Sequence, residues 1–185
     1  LRADVLGTDT SDGDLTITTQ GTGAVAVTSQ LTLTGSFLPA IHTFVATDAV
    51  TIIEHAGRTL LLGEVGGNAA VTLTLPAATG TGAVYKFIVS VVNTSNYIIK
   101  VADASDTIDG MVVVQSDATA GGTASLIAWP TVAASDTITL DGTTTGGVQI
   151  GDYILLTDMI ANQYVVSGML NASGTEATPF SATVS

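Results

Sequence analysis

The chain has no cysteine in its 185 residues. That excludes disulfides, a thiol nucleophile and thiolate metal sites, so the fold rests on packing, hydrogen bonds or association with other chains. Charge is scarce too. Charged residues make up 11%, with 4 basic against 16 acidic side chains and a formal net charge of −12. A surplus of that sign repels phosphate backbones and anionic lipid surfaces, which argues against nucleic acid and membrane as partners. Aromatic residues make up 5%, with a single tryptophan, and only His42 and His55 titrate near neutral pH. Long apolar runs are missing although 46% of residues are hydrophobic and mean hydropathy is +0.52. The longest, KFIVSVV at 86–92, is strand-sized and far short of the roughly 20 residues a membrane span needs.

What the chain does have is threonine and glycine. About one residue in six is threonine, and 20 are glycine. Threonine suits a pleated surface and glycine supplies turns. Short alternating or apolar runs recur with turn signals between them, and helical periodicity is nearly absent, which is the pattern of an all-β chain. Strands are predicted at 15–17, 25–27, 31–33, 50–53, 71–75, 84–92, 97–101, 111–114, 124–128, 137–140, 153–156 and 164–166. The expected architecture is an antiparallel β-sandwich or barrel head carrying an extended, strand-rich N-terminal arm. The composition divides it into an arm at 1–44, a head at 45–170 and an extended C-terminal tail at 171–185.

The arm contains DLTITTQGTGAVAVTSQLTLTG, residues 14–35, with one charge and a strict threonine–aliphatic alternation in places. A thin segment of this kind cannot bury its aliphatic side chains alone, and its poverty in charge is unlike that of a disordered tail. Association with other chains is the expected outcome. The interface residues predicted from it are Leu15, Ile17, Val25, Val27, Leu31, Leu33 and Phe37. One internal echo stands out: ASDTI at 104–108 recurs at 134–138, and each copy is followed by an Asp-Gly pair. Asp-Gly is a hairpin signal, so two related hairpins are predicted.

Chemistry is hard to find. His55 follows Glu54, but neighbours on a strand point to opposite faces and make no dyad. No serine sits in a nucleophile-elbow context. The acidic groups Asp9, Asp12, Asp14 and Asp103, Asp106, Asp109 lack the spacing of a calcium loop and read as solvated turns. ATGTGAVYKF at 78–87 holds a G-x-G without the third glycine or the following helix of a dinucleotide site, so it reads as a turn. Trp129-Pro130 suggests a sugar-stacking platform, with core or interface packing as the plainer reading. Glu54, Glu64 and Glu176 are isolated, which disfavours a glycan-cleaving carboxylate pair. No catalytic residue, metal site or cofactor is predicted.

The runs TLTLPAATGTGAVYKFIVSVVNTSNYIIKVADASDTIDG (72–110) and SDTITLDGTTTGGVQIGDYILLTDMIANQYVVSG (135–168) resemble the β-rich heads of tailed-bacteriophage virion proteins, the small decoration, cement and fibre types. DLTITTQGTGAVAV is similar to the stalk sequences of trimeric phage fibres. The resemblance implies a homotrimer on the outer capsid surface, clamping neighbouring major capsid protein subunits, with no enzymatic role. A tail-fibre or receptor-binding module is the alternative it leaves open, and a bacterial surface-layer or adhesion module is a third.

Overall fold

The computed structural model describes residues 36–117 and 124–184. The chain divides into two compact units, Leu1–Leu38 and Pro39–Ser185. The second is all-β and holds two sheets. In chain order its elements are β1 (Ile41–Phe44), β2 (Asp48–Ala49), a helical turn α1 (Ile52–His55), β3 (Thr59–Leu62), β4 (Val71–Thr74), β5 (Val84–Val89), β6 (Tyr97–Lys100), β7 (Thr107–Gln115), β8 (Leu126–Pro130), β9 (Thr137–Leu140), β10 (Tyr153–Ile160), β11 (Gln163–Asn171) and β12 (Phe180–Ser181).

A seven-stranded sheet runs β1-β3-β5-β10-β11-β7-β8, and a five-stranded sheet runs β12-β9-β6-β4-β2. From β1 to β6 the chain changes sheet at every strand, so β1, β3 and β5 line up parallel in one sheet and β2, β4 and β6 parallel in the other. The purely antiparallel expectation is therefore corrected. A parallel pair needs a crossover, usually a helix; here the crossover is a strand of the opposite sheet. Antiparallel pairing enters with the hairpins β7–β8 and β10–β11 and with β9 beside β6.

Both sheets turn one face into a single cluster of buried side chains. Leu60, Leu62, Phe87, Ile154 and Leu156 come from the seven-stranded sheet, and Leu73, Tyr97, Ile99, Ile138 and Leu140 from the five-stranded one. Period-2 alternation creates this division, as in VTLT of β4, where both aliphatic residues are buried and both threonines lie toward the surface.

Several local expectations change. Residues 50–53, read as strand, lead into α1, because Thr51 is its N-cap: the Thr51 hydroxyl accepts from the Glu54 amide at 3.2 Å. Asp109-Gly110 is no hairpin turn but lies inside β7, opposite Val165 and Val166 of β11. Asp141-Gly142 does turn, with Gly142 at φ +68°. β1 already belongs to the seven-stranded sheet, so that sheet begins before residue 45. In the segment read as an extended tail, β12 pairs with β9 and buries Phe180.

Candidate docking surface

The acidic residues are the first candidates for chemistry, and most are occupied by the fold. Asp158 is buried and accepts from the amides of Thr79 (3.0 Å), Gly80 (2.7 Å) and Thr81 (3.0 Å) and from the Thr81 hydroxyl (2.6 Å). The G-x-G loop thus wraps its amides round the chain's own carboxylate instead of a ligand's phosphate. Burial works against ionisation of Asp158, but the donors of Thr81, Gly80 and Thr79 outweigh it and hold the group below the usual carboxylate range. Asp152 accepts from Gly147, Gln149 and both nitrogens of Asn171. Asp136 holds the amides of Thr183 and Val184, and Glu64 those of Asn68 and Ala69.

The predicted acidic clusters do not converge on a cation. Asp103 is bonded to Ser105, buried Asp106 accepts from the Ala78 amide, and Asp109 accepts from the Gln163 amide group at 2.6 Å. Among the described residues no three His, Asp or Glu side chains come together as a metal site. Asp9, Asp12 and Asp14 lie outside the described residues. Asn93, a glycosylation sequon by sequence, is buried with its amide on the Ala69 carbonyl.

The two histidines do meet. The His42 and His55 rings are 4.4 Å apart at 85°, with Phe44 beside both. Nδ1 of His55 accepts from the Thr51 amide at 2.9 Å, so the ring is neutral with its proton on Nε2, which is buried without a partner. Burial lowers the His55 pKa and His42 lowers it further; Glu54 and Asp48 oppose, and Arg58 adds to the lowering. This is packing and no catalytic dyad. The folded state binds its proton less readily than the unfolded chain, whose value is near 6.5. The contribution is therefore complete above pH 6.5 and is lost as pH falls through the lowered folded value. The denaturant midpoint is expected to drop between pH 7 and pH 5, and His55→Gln to flatten that drop; an unchanged slope in the variant would remove His55 as its source.

The outer face of the seven-stranded sheet is unlike the rest of the surface. Strand register places Thr43, Leu61, Ile88, Tyr153, Met169, Val113 and Ala128 in one row across all seven strands. The adjacent row is Ile41, Thr59, Lys86, Leu155, Ser167, Met111 and Pro130. No carboxylate falls in either row; the next row, Val84, Thr157, Val165 and Asp109, holds one, bonded to Gln163. The single cation, Lys86, stands 5.6 Å from the centre of the Tyr153 ring. Ile41, Met111 and Met169 are each more than half exposed. The corresponding face of the five-stranded sheet carries Thr72, Thr74, Thr139, Lys100 and Ser181 around Ile98. A sheet with one face to water normally alternates apolar-in and polar-out. The five-stranded sheet follows that rule more closely than the seven-stranded sheet, whose outer face is the candidate contact surface.

A second feature lies at the β8 edge. Trp129, Pro130, Val132, Ser135, Thr178 and Phe180 line an apolar cleft of about 290 Å³. Val132 is exposed, and Trp129 Nε1 is buried without a hydrogen-bond partner.

Of the interface residues expected from sequence, Leu15, Ile17, Val25, Val27, Leu31 and Leu33 lie outside the described residues. Phe37 is described and is 72% exposed. The face of the seven-stranded sheet was missed in the sequence. Its signal is present in LL of β3, KFIV of β5 and YILL of β10, runs in which both alternating sets are apolar. No family model, curated protein or solved structure matches the chain.

Proposed function

We propose that the chain is a virion structural protein of the capsid decoration or cement type. In this reading it is a homotrimer on the outer capsid surface that binds and stabilises the lattice of major capsid protein. The two sheets stack as a sandwich whose outer faces have different tasks. The threonine-clad face meets solvent, and the outer face of the seven-stranded sheet, with aliphatic and methionine side chains across its middle and a single carboxylate, Asp109, toward one end, seats on the capsid. That asymmetry is the observation that carries the proposal. A largely apolar row with a mixed row beside it, both spanning seven strands, gives a broad, stiff contact, while excess acidity elsewhere discourages wrong partners and self-aggregation. Nothing in this role needs a cofactor, a catalytic group, nucleic acid or a membrane.

The test is binding to capsids assembled from the major capsid protein of the particle that carries the chain. Met111→Lys with Met169→Lys is expected to weaken binding ten- to a hundredfold, the scale of desolvating charges in a contact core. Far-ultraviolet circular dichroism should stay unchanged, since both side chains point outward. Unaltered binding would take this face out of the contact.

A second reading is favoured by the Trp129 cleft. A tail-fibre or receptor-binding module recognising a host glycan or protein would use such an exposed aromatic hollow, and its site would then lie at the β8 edge.

A further inference from the structure

The main chain between β2 and β3 is bonded to the sheets at its two ends. At one end the Val50 amide bonds to the Thr74 carbonyl of β4 (2.8 Å), and at the other the Gly57 amide bonds to the Val84 carbonyl of β5 (2.8 Å). The main-chain bonds between them run inside the segment, from the His55 amide to the Thr51 carbonyl and from the Ala56 amide to the Ile52 carbonyl. Gly57 stands at φ +72° with open space where a side chain would lie, as a pivot requires. We infer that residues 51–56 are an acid-released flap, hinged near Val50 and Gly57 and latched on the head by the His55 ring. This device is independent of the virion role proposed above.

One titratable side chain holds α1 down. Of its four residues only His55 is buried, and Ile53 is 85% exposed. Half-buried Ala56 adds a methyl group to the contact. The His55 ring meets His42 edge-on at 4.4 Å and lies beside Phe44 at 5.0 Å, and Phe44 in turn packs near Phe87. A helical turn of four residues is too short to sustain itself in water, so its place depends on that anchor.

The latch holds only while the ring is neutral. Its Nδ1 accepts from the Thr51 amide at 2.9 Å, and its Nε2 is buried without a partner. A second proton would set one donor against another at Thr51 and leave a cation in an apolar pocket. Beside His42 and Phe44, β3 and β5 turn Leu60, Leu62, Phe87 and Val89 inward, and β4 turns in Val71 and Leu73, all apolar. The charged and titratable groups around the ring are four. His42 on β1 and Arg58 after α1 oppose its protonation, while Glu54 on α1 and Asp48 on β2 favour it. Burial is the largest influence and keeps the seated ring below its ordinary value of 6.5. Swung out, the ring regains water and that ordinary value. Closure is therefore fully supported above pH 6.5 and loses support as pH falls toward the lowered value of the seated ring. Opening uncovers His42 and the Phe44 ring and leaves both sheets paired.

The test is amide hydrogen exchange on the full-length natural chain at pH 7 and pH 5, resolved by residue with NMR and corrected for the intrinsic effect of pH. The amides of Glu54, His55 and Ala56 are expected to lose protection by up to about twentyfold, the limit for one imidazole released to a value near 6.5. Those of Val50, Gly57, Ile99 and Leu156 are expected to keep theirs. A change of less than about twofold in the three flap amides overturns the flap. A loss shared by the whole head overturns it as well, because that is global unfolding. His55→Gln stays neutral and can accept the Thr51 amide through its side-chain oxygen, so its three flap amides should be equally protected at both pH values. A pH-dependent loss that persists in the variant removes His55 as the latch. Should the variant not fold, the natural chain still decides. Proton uptake by the His55 ring, followed by NMR, and the loss of flap protection are expected to share one midpoint, and two separate midpoints overturn the inference.

Discussion

Replacing Gly110 by alanine is expected to destabilise the head by about 4 kcal/mol or more, a fall in melting temperature of roughly 8–16 °C. Gly110 lies within β7 at φ +136°, a backbone conformation that side-chain-bearing residues rarely adopt. A Cβ there would stand 2.2 Å from the Val166 carbonyl oxygen, a backbone atom of the neighbouring strand. That strand cannot yield easily, because Val166 is itself in the core and β11 is held on its far side by β10. The strain and the clash act together at the parallel β7–β11 pairing, the longest register in the sheet. Thermal unfolding followed by circular dichroism measures the loss. A shift of less than about 2 °C, under 1 kcal/mol, would show that the two strands separate without cost.

Asp158→Ala is expected to cost about 3 kcal/mol. The substitution leaves three loop amides and the Thr81 hydroxyl without their acceptor, and hydrogen bonds to a charged group are worth about 1.5–3 kcal/mol each before solvent recovers part of the loss. The loop at 79–81 also bridges to the end of β10 through Thr79 and Ala161, so its release should loosen that hairpin turn. The pH dependence has a definite sign. Asp158 is held below 3.8, and Asp141, against the effect of burial, is brought down to about 2 by the Thr145 amide and the Thr144 and Thr143 donors. The stability both groups contribute is complete above pH 3.8 and disappears as pH falls through their lowered folded values. Acid unfolding of the natural chain should therefore steepen between pH 4 and 2, and Asp158→Ala should remove part of that slope. An identical acid profile in the variant would show that the clasp carries no stability.

These two positions also mark what the sequence could and could not tell. The all-β class was legible from threonine alternation, and VTLT, YIIK and TITL became β4, β6 and β9 close to their expected bounds. The echo of ASDTI was legible as well, and its two copies do similar work. Ile108 and Ile138 are both fully buried, Asp106 and Asp136 are buried acceptors of backbone amides, and the Ile108 amide bonds to the Ser135 carbonyl. The partners were not legible. Asp109-Gly110 has the residues of a turn, but register with β11 keeps it extended, and only the tertiary pairing decides that. The parallel order escaped for a related reason. Alternation reports which side chains face inward, whereas the sheet a strand joins depends on the direction its connection takes.

Charge misled in the same manner. Asp103, Asp106 and Asp109 read as solvated turns, yet Asp106 is buried as an acceptor for a backbone amide, as are Glu64, Asp136, Asp152 and Asp158, whose burial was not read from the sequence. Threonine clothes the outer face of the five-stranded sheet, and carboxylates tie loops.

The most direct test of the proposed role is antibody labelling of intact particles, viewed by electron microscopy. Label distributed over the heads is the predicted result and would fit a protein seated on the capsid lattice. Label confined to tail tips, or absent from particles altogether, would contradict it.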